Sequence, residues 1–536
     1  MAEAGDVGRD DLSRSAAGDR NPWLVAVVIS IATFMQVLDT SIANVALRNI
    51  AGSLAAGVDE STWIITSYLV ASAVVLPISG WLSGVIGRKR FYMLCVAIFT
   101  VASILCAFAP SLGVLIVFRV LQGLGGGGMA PSEQAMLADT FPANRRAQAF
   151  ALYGVAVIVA PTVGPALGGW LTDNYSWHWI FLINGPIGLL SLVLVQWLVT
   201  EPETLERERR ERLAGGLRVD WIAFLLVALW LGCLEVVLDK GEREDWFQSG
   251  FIVAFSALSI AAFALFVPWE LSRRDPIVEV RLFFRRQFAT ANLMMLSLGA
   301  ILFGTIQLIP QLLQISFGYT ATLSGLALMP GGIAMLLMMP VVGLTASYVR
   351  PKYLISFGIA VVAVSMWHMT SLSSDADFSF FAWARVYQTI GLPFLFIPIT
   401  AASYAGLPPD KTSEASSLLN VSRNLGGSIG VSIAGTALAE ATQRHQAYLT
   451  DHLVPSSPAY QAAIQHATAL LTGQGVPPGE AARGAFGLIA QTVNQQATML
   501  AYIDVFYGYA LLAAVLVPAA FLLLRPAEDR ASAGAH

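Results

Sequence analysis

Apolar residues fill this chain in long runs of roughly twenty or more. The runs have neither the strict alternation of a half-buried strand nor the single stripe of a surface helix. A helix needs about 20 apolar residues to cross a ~30 Å hydrocarbon core. The pattern predicts fourteen membrane-spanning helices, at 23–47, 62–83, 91–109, 113–138, 147–171, 177–199, 218–238, 249–270, 287–311, 323–347, 352–371, 379–406, 415–440 and 501–524. The runs are too long and too uniformly apolar for barrel strands. Two segments break the rhythm. The charged stretch 200–217 reads as a connector. The polar stretch 441–500 reads as a long loop, helical over 458–472 and 480–499 and broken by Gly473, Gly475, Pro477 and Pro478. It reads equally well as a mobile cap over the outer mouth and as a docking surface for another envelope protein.

Composition supports the membrane reading. Of 536 residues, 56% are hydrophobic and 12% charged, about half the charge of an ordinary soluble chain, and the mean hydropathy is +0.65. Several soluble domains, a disordered chain and a secreted disulfide scaffold are excluded. A net charge of −4 offers no basic excess for nucleic acid. Cys95, Cys106 and Cys233 all fall in apolar stretches, which suggests neither a disulfide framework nor a metal cluster. The first twenty residues have no apolar core, so they are no signal peptide.

Lys and Arg set the orientation. With the N-terminus in the cytoplasm, segments on that side carry 23 basic residues and the opposite loops carry 5. Both termini are therefore expected to be cytoplasmic. The remaining three of the 31 basic residues, Arg119, Arg385 and Arg423, lie inside spans.

A faint repeat runs through the chain. Arg119, Gln122 and Gly125 of helix 4 recur as Arg385, Gln388 and Gly391 of helix 12, 266 residues later. Helices 1 and 9 begin 264 apart, and the basic loops at Arg88 and Arg350 lie 262 apart. Parallel repeats of six helices mark a transporter architecture with a central site between two bundles. This predicts an all-α fold of two six-helix bundles with helices 7 and 8 inserted. The expected divisions are a tail (1–22), the first bundle (23–199), the connector (200–217), two inserted helices (218–270), helices 9–13 (271–440), the outer loop (441–500), the last helix (501–524) and a tail (525–536).

Charge at the centre of a membrane helix costs at least ~2.5–3.5 kcal/mol on insertion scales, so each such residue needs a reason. On helix 1, Gln36, Asp39, Thr40, Ala43 and Asn44 share one face. Asp39 lies ~24 Å from the cytoplasmic end, and Arg119 of helix 4 lies ~9 Å below the outer end, by the rise per residue. The two come to similar depth. They form either a static structural pair or a proton-coupling pair whose carboxyl gains a proton when its surroundings change. Glu133, toward the cytoplasm on helix 4, is either a second protonation site or a structural gate partner. Polar stripes at Asn420, Arg423, Asn424 and Ser428 and at Gln307, Gln311 and Gln314 either line a substrate cavity or join helices by hydrogen bonds. The candidate cavity set is Gln36, Asn44, Gln122, Gln307, Gln311, Arg385, Gln388, Asn420 and Arg423. Glu235, near the outer end of helix 7, is expected to snorkel. Helix 5 carries Pro161, Gly164, Pro165, Gly168 and Gly169, which suit a bent interface that rocks.

Two enzyme-like motifs are accidental. Gly123-x-Gly125-x-x-Gly128 follows no strand, and Gly426-x-Ser428-x-Gly430 lies mid-helix rather than on a strand–turn–helix elbow. With no Walker A segment and no H-E-x-x-H, the chain is expected not to be an enzyme, to hold no metal or cofactor, and to be driven by an ion gradient.

Several segments together resemble a family, the fourteen-helix drug:proton antiporters of the major facilitator superfamily, EmrB/QacA type. They are Leu38-Asp39-Thr40-Ser41-Ile42-Ala43-Asn44-Val45-Ala46-Leu47, the loop from Gly80 to Arg90, Arg119 to Gly125, Pro161 to Gly169, and Trp177 to Gly188 with Asn184 and Pro186. The likeness spans about residues 23–524, and the long loop, with Gln496-Ala497 and Asp504-Val505-Phe506 near its end, is more like EmrB than QacA. The resemblance implies that Asp39 is proton-linked and that Arg119 responds to its charge. It implies Gly87 and Arg88 as a cytoplasmic gate loop. It also implies a multi-pass protein of a bacterial inner membrane that exports lipophilic compounds, with a periplasmic adaptor (membrane fusion protein) and an outer-membrane channel as partners through 441–500. One departure stands out: Gly84 and Val85 occupy the positions where the family's loop has Asp followed by Arg, which leaves Arg88 without its expected partner. Three intramembrane arginines and few deep acids favour neutral or anionic substrates. The alternatives are a dedicated exporter of one metabolite (a siderophore, antibiotic or fatty acid) and, from another class, a polytopic membrane enzyme or sensor.

Overall fold

The computed structural model describes residues 21–523, except 143–144, 202–205, 208, 211–213, 215–218, 275, 347, 406 and 409–410. The tails and most of the connector 200–217 lie outside the described residues. Among the described residues the regular structure is entirely helical. Unbroken apolar runs bury their backbone polar groups within one segment, which is the solution a bilayer demands of a lone span. Several helices start where a short polar side chain caps the first turn. Asn21, Ser111, Thr320 and Asp377 each accept a backbone N–H two or three residues on.

All fourteen expected spans are helices. The first bundle contains α1 (Pro22–Ser53), α2 (Trp63–Ile86), α3 (Arg88–Ala107), α4 (Leu112–Thr140), α5 (Arg146–Asn174) and α6 (Asn184–Leu198), the last preceded by a short turn of helix at His178–Leu182. Then come α7 (Trp221–Lys240) and α8 (Gly250–Ser272). The second bundle contains α9 (Arg286–Ser316), α10 (Ala321–Thr345), α11 (Pro351–Met369), α12 (Phe378–Ser403), α13 (Thr412–Asp451) and, after α14 (Pro458–Gly473), α15 (Pro478–Leu523). Twelve helices have the length and hydropathy of a span, and α5, bent by 42° beside Pro161, makes a thirteenth. The polar stripe of α13 lowers its hydropathy, although its 40 residues are ample.

The packing repeats. In the first bundle α1 lies on α5, α2 and α3 lie on α4, and α6 lies on α3. In the second, α9 lies on α13, α10 and α11 lie on α12, and α15 lies on α11. The bundles meet along two related seams, α5 against α10 and α2 against α13. The glycines of the false dinucleotide motif serve this packing. A Cβ at Gly123 would strike the Tyr68 carbonyl of α2, and one at Gly125 would strike the backbone of Phe99 on α3.

The segment read as an outer loop is mostly the continuation of two spans. At 1.5 Å per residue, α13 is ~60 Å long and α15 ~69 Å, about twice a hydrocarbon core. Together with α14 they project as a helical hairpin, and α14 turns back at Gly475, whose φ of 90° favours glycine. Arg444 and His445 of α13 both reach Asp504 of α15 at 2.9 Å and clasp its base.

Candidate functional site

Asp39 and Arg119 meet. Arg119 Nη1 donates to Asp39 Oδ2 at 2.8 Å, and the two residues are 2% and 0% exposed. The carboxylate also accepts from Gln122 Nε2 at 3.0 Å and Asn184 Nδ2 at 2.6 Å, both on Oδ1. The guanidinium has its own cradle. Its Nε donates to the Ile64 carbonyl at 3.0 Å and its Nη1 to Gln122 Oε1 at 2.6 Å. The Tyr68 and Phe181 rings lie 4.4 and 5.7 Å from its central carbon. Four helices, α1, α2, α4 and α6, thus converge on one buried ion pair. Gln122 therefore joins this pair, bonding both Asp39 and Arg119.

The second bundle holds the repeat copy. Arg385 Nη1 donates to Gln388 Oε1 at 2.5 Å, as Arg119 does to Gln122. Gln388 Nε2 then donates to Thr305 Oγ1 of α9 at 2.5 Å. Thr305 is 266 residues after Asp39, so a hydroxyl stands where the first bundle has its carboxylate. Arg385 is 1% exposed and makes no ion pair among the described residues. Arg385 and Gln388 are thus buried and hydrogen-bonded within their own bundle.

Glu133 lies apart from this cluster, buried and hydrogen-bonded by Thr33 of α1. Asn420 is also buried. It donates to Gln134 of α4 at 2.8 Å, so it belongs to the direct contact between bundles. Ser416 donates to the Pro131 carbonyl at 2.7 Å, and Tyr153 stacks on Phe396 at 5.8 Å in the same region. Arg423 Nη1 reaches Tyr153 Oη at 3.4 Å. The remaining cavity candidates are more open. Asn44 and Gln307 are exposed, and Gln36 and Gln311 are half-buried.

While α5 and α10 also meet near the opposite end, at Ala166 and Gly325, the hydrogen-bonded contacts of α13 with α4 lie at the end of the bundles that carries the basic loops. There Arg88 does have a partner, an ion pair with Asp139 at the end of α4. Its backbone N–H also donates to Glu201 Oε1 at 2.7 Å. Asp139 stands in for the loop carboxylate that Gly84 replaces; it lies 55 positions from Gly84 and comes near only on folding. Gly87 turns the chain at φ 100°, and a side chain there would strike the Glu201 carboxylate. The helix 5 glycines lie elsewhere. Gly164 and Gly168 bring α5 against Ser41 and Ile42 of α1, beside Asp39, while Gly154 meets Met339 of the other bundle. Pro161 accepts a hydrogen bond from Ser41 through its carbonyl, Pro165 follows the bend, and Gly169 is buried.

At the opposite end, α7 stands between α2 and α13. Asp239 is hydrogen-bonded by Thr66 of α2, and Lys240 donates to Thr62, the residue just before α2. Glu235 accepts from Ser428 of α13 at 2.8 Å, and Trp246 donates to Thr436 at 3.1 Å. Glu235 is 7% exposed, so it does not snorkel. Outside the spans, Asp220 caps α7. Burial pushes its carboxyl up, but bonds from Ala223 N–H and Trp269 and the charge of Arg273 outweigh this and hold it below the ordinary range.

Sequence reasoning missed Asn184, Ser103 and Tyr68 as parts of the Asp39 site. Asn184 lies in the quoted helix 6 segment, where a lone amide before a proline gave no sign of its partner. Among the described residues no group of three or more His, Cys, Asp or Glu side chains is placed to hold a metal.

The sequence model described as Major Facilitator Superfamily matches residues 29–431. The chain is 37% identical over 486 residues to the multidrug export protein EmrB of Escherichia coli K12, covering 90% of this chain and 92% of that one. It is 34% identical to the fatty acid resistance protein FarB of Neisseria gonorrhoeae, covering 94% and 96%. Among solved structures it resembles the proton:xylose symporter XylE with a TM-score of 0.58 at 13% identity, covering 93% and 95%.

Proposed function

The chain belongs to the major facilitator superfamily, a multi-pass membrane transporter rather than an enzyme, and on that footing we propose that it is a proton-driven multidrug efflux antiporter of a bacterial inner membrane. The observation that carries the reading is the Asp39–Arg119 pair, buried in membrane helices, where a charge pair is expensive to maintain. The likeness to a multidrug export protein supports the substrate class, lipophilic compounds that are neutral or anionic.

A proton reaching Asp39 neutralises one side of the pair. Arg119 stays hydrogen-bonded to Ile64 and Gln122 and covered by Tyr68, so losing the carboxylate charge does not strand it. The pair therefore has two states of modest energy difference, as a coupling element requires. Hydrogen-bonded contact of α13 with α4 and α2 at the basic-loop end supports an outward-facing arrangement. In that arrangement Asp39 takes its proton from outside as substrate leaves through a cavity bordered by Gln36, Asn44, Gln307 and Gln311. The hairpin of α13, α14 and α15 supplies a surface for a periplasmic adaptor and, through it, an outer-membrane channel. Both termini lie in the cytoplasm, and no cofactor beyond the proton is needed.

The test is Asp39→Asn in everted vesicles energised by a proton gradient. The variant should insert normally and lose gradient-driven transport; transport equal to wild type would overturn the reading. A second reading, a dedicated exporter of one metabolite, draws on the likeness to a fatty acid resistance protein. A substrate panel with and without an uncoupler separates the two, since a dedicated exporter moves one compound class only.

A further inference from the structure

The Asp39 carboxylate is held by three side chains, and they differ in what they can do when its charge changes. Arg119 is a donor only. Gln122 has its acceptor already engaged, since Oε1 takes Arg119 Nη1 at 2.6 Å and the Cys106 thiol at 3.8 Å. Asn184 is different. Its Nδ2 donates to Asp39 Oδ1 at 2.6 Å and to Ser103 Oγ at 2.9 Å, while its Oδ1 is buried and accepts from nothing. Asn184 is 0% exposed, so its amide oxygen is shielded from bulk solvent. A buried acceptor left empty costs on the order of 1–3 kcal/mol, and here it belongs to the amide that touches the carboxylate.

A charged carboxylate only accepts, whereas a protonated one has an O–H to place. The groups around Asp39 are Arg119 and Gln122 from α4, Tyr68 from α2, Ser103 and Cys106 from α3, and Asn184 from α6. Arg119 offers no acceptor. Ser103 Oγ already donates to the Phe181 carbonyl and takes Asn184. The Asn184 amide oxygen is the vacant acceptor on a side chain that already bonds the Asp39 carboxylate.

We propose that Asn184 is a positioning residue that holds Asp39 in both charge states: it donates through Nδ2 to the carboxylate and, after the amide turns over, accepts through Oδ1 from the protonated acid. This rests on the reading of Asp39 as the proton-carrying group. One O–H bond forms on Asp39 from a proton of the outer aqueous phase and breaks when the proton is released inside; nothing is oxidised or reduced. The amide belongs to α6, next to Pro186, which has no N–H to donate to the helix ladder. The charge of Asp39 is thereby linked to the orientation of an α6 side chain as well as to Arg119.

The test is a pH titration of the purified full chain in liposomes, followed by infrared difference spectroscopy with buffer protons as the probe. The carboxylic acid carbonyl band that disappears in Asp39→Asn reports Asp39. In Asn184→Ala that band should move to higher frequency, because the acid loses its hydrogen-bond partner. Its midpoint should come at about fivefold lower proton concentration, because the charged form loses the stronger of the two bonds. Asn184→Ser, which keeps a short donor and acceptor, should fall between and supplies the comparison if Asn184→Ala does not fold. An unchanged band and midpoint in both variants, with the band still lost in Asp39→Asn, would overturn the role of Asn184 and leave Asp39 standing. Absence of any Asp39-dependent band would overturn both.

Discussion

The two halves of the Asp39–Arg119 pair should not be equivalent in stability. In Arg119→Met the carboxylate stays buried with only the Gln122 and Asn184 amides, and no cation faces it. Removing one partner of a buried pair costs about 3–5 kcal/mol when the other is left uncompensated. In Asp39→Asn the guanidinium keeps the Ile64 carbonyl, the Gln122 oxygen and two ring faces. The new amide can still accept one of its N–H groups. The loss there should approach that of one charge-assisted bond, about 1.5–3 kcal/mol. The double variant Asp39→Asn with Arg119→Met removes both charges and should recover most of the Arg119→Met loss. Reversible unfolding of the detergent-purified protein, or the fraction surviving a heat step, measures all three against wild type. Equal losses for the two single variants, or a double variant as unstable as Arg119→Met, would refute the cradle argument. Transport should be absent in all three, which separates folding from coupling.

Other consequences follow from the same contacts. Gly125→Leu should prevent α4 from seating on α3 and abolish accumulation of folded protein, whereas the equally buried and volume-conserving Leu137→Met should cost under about 1.5 kcal/mol, as measured by membrane yield and melting. Asp139→Asn frees the Arg88 side chain from its ion pair and should raise several-fold the rate at which a membrane-impermeant thiol reagent labels Ser416→Cys from the basic-loop side; no change would mean that the pair does not guard that seam. Glu235→Ala removes the link from α7 to Ser428 and should lower stability by about 1 kcal/mol on the scale of interhelical hydrogen bonds, with Glu235→Gln close to wild type by melting temperature. Asp220 titrates below the ordinary carboxylate range in the folded state, so its contribution is present at neutral pH and is lost as pH falls through that depressed value; Asp220→Asn should remove this part of the acid sensitivity, read as melting temperature against pH.

The chain by itself determined that it spans a membrane, that its fourteen long apolar runs are helices, and that they repeat as six and six around an insertion. Those features are local or periodic: a span is contiguous in sequence, and the 266-residue offset of Arg119 and Arg385 survives in plain view. It also placed Asp39 and Arg119 at similar depth, because rise per residue is fixed. What it could not supply was azimuth and neighbour. Gln122 and Gln388 look like cavity residues in a helical projection, yet each turns toward the arginine one turn away. Asn420 looks the same and instead joins the seam with α4. Arg88 found Asp139 rather than a carboxylate in its own loop, and Glu235 faced α13 rather than the aqueous phase. Only the packing of helices, with glycines setting how closely each pair approaches, decided these partners. Hydrogen bonding is directional over about 3 Å, while hydropathy averages over a whole span. The tertiary fold alone brought Asn184 of α6 to a carboxylate on α1, 145 residues away.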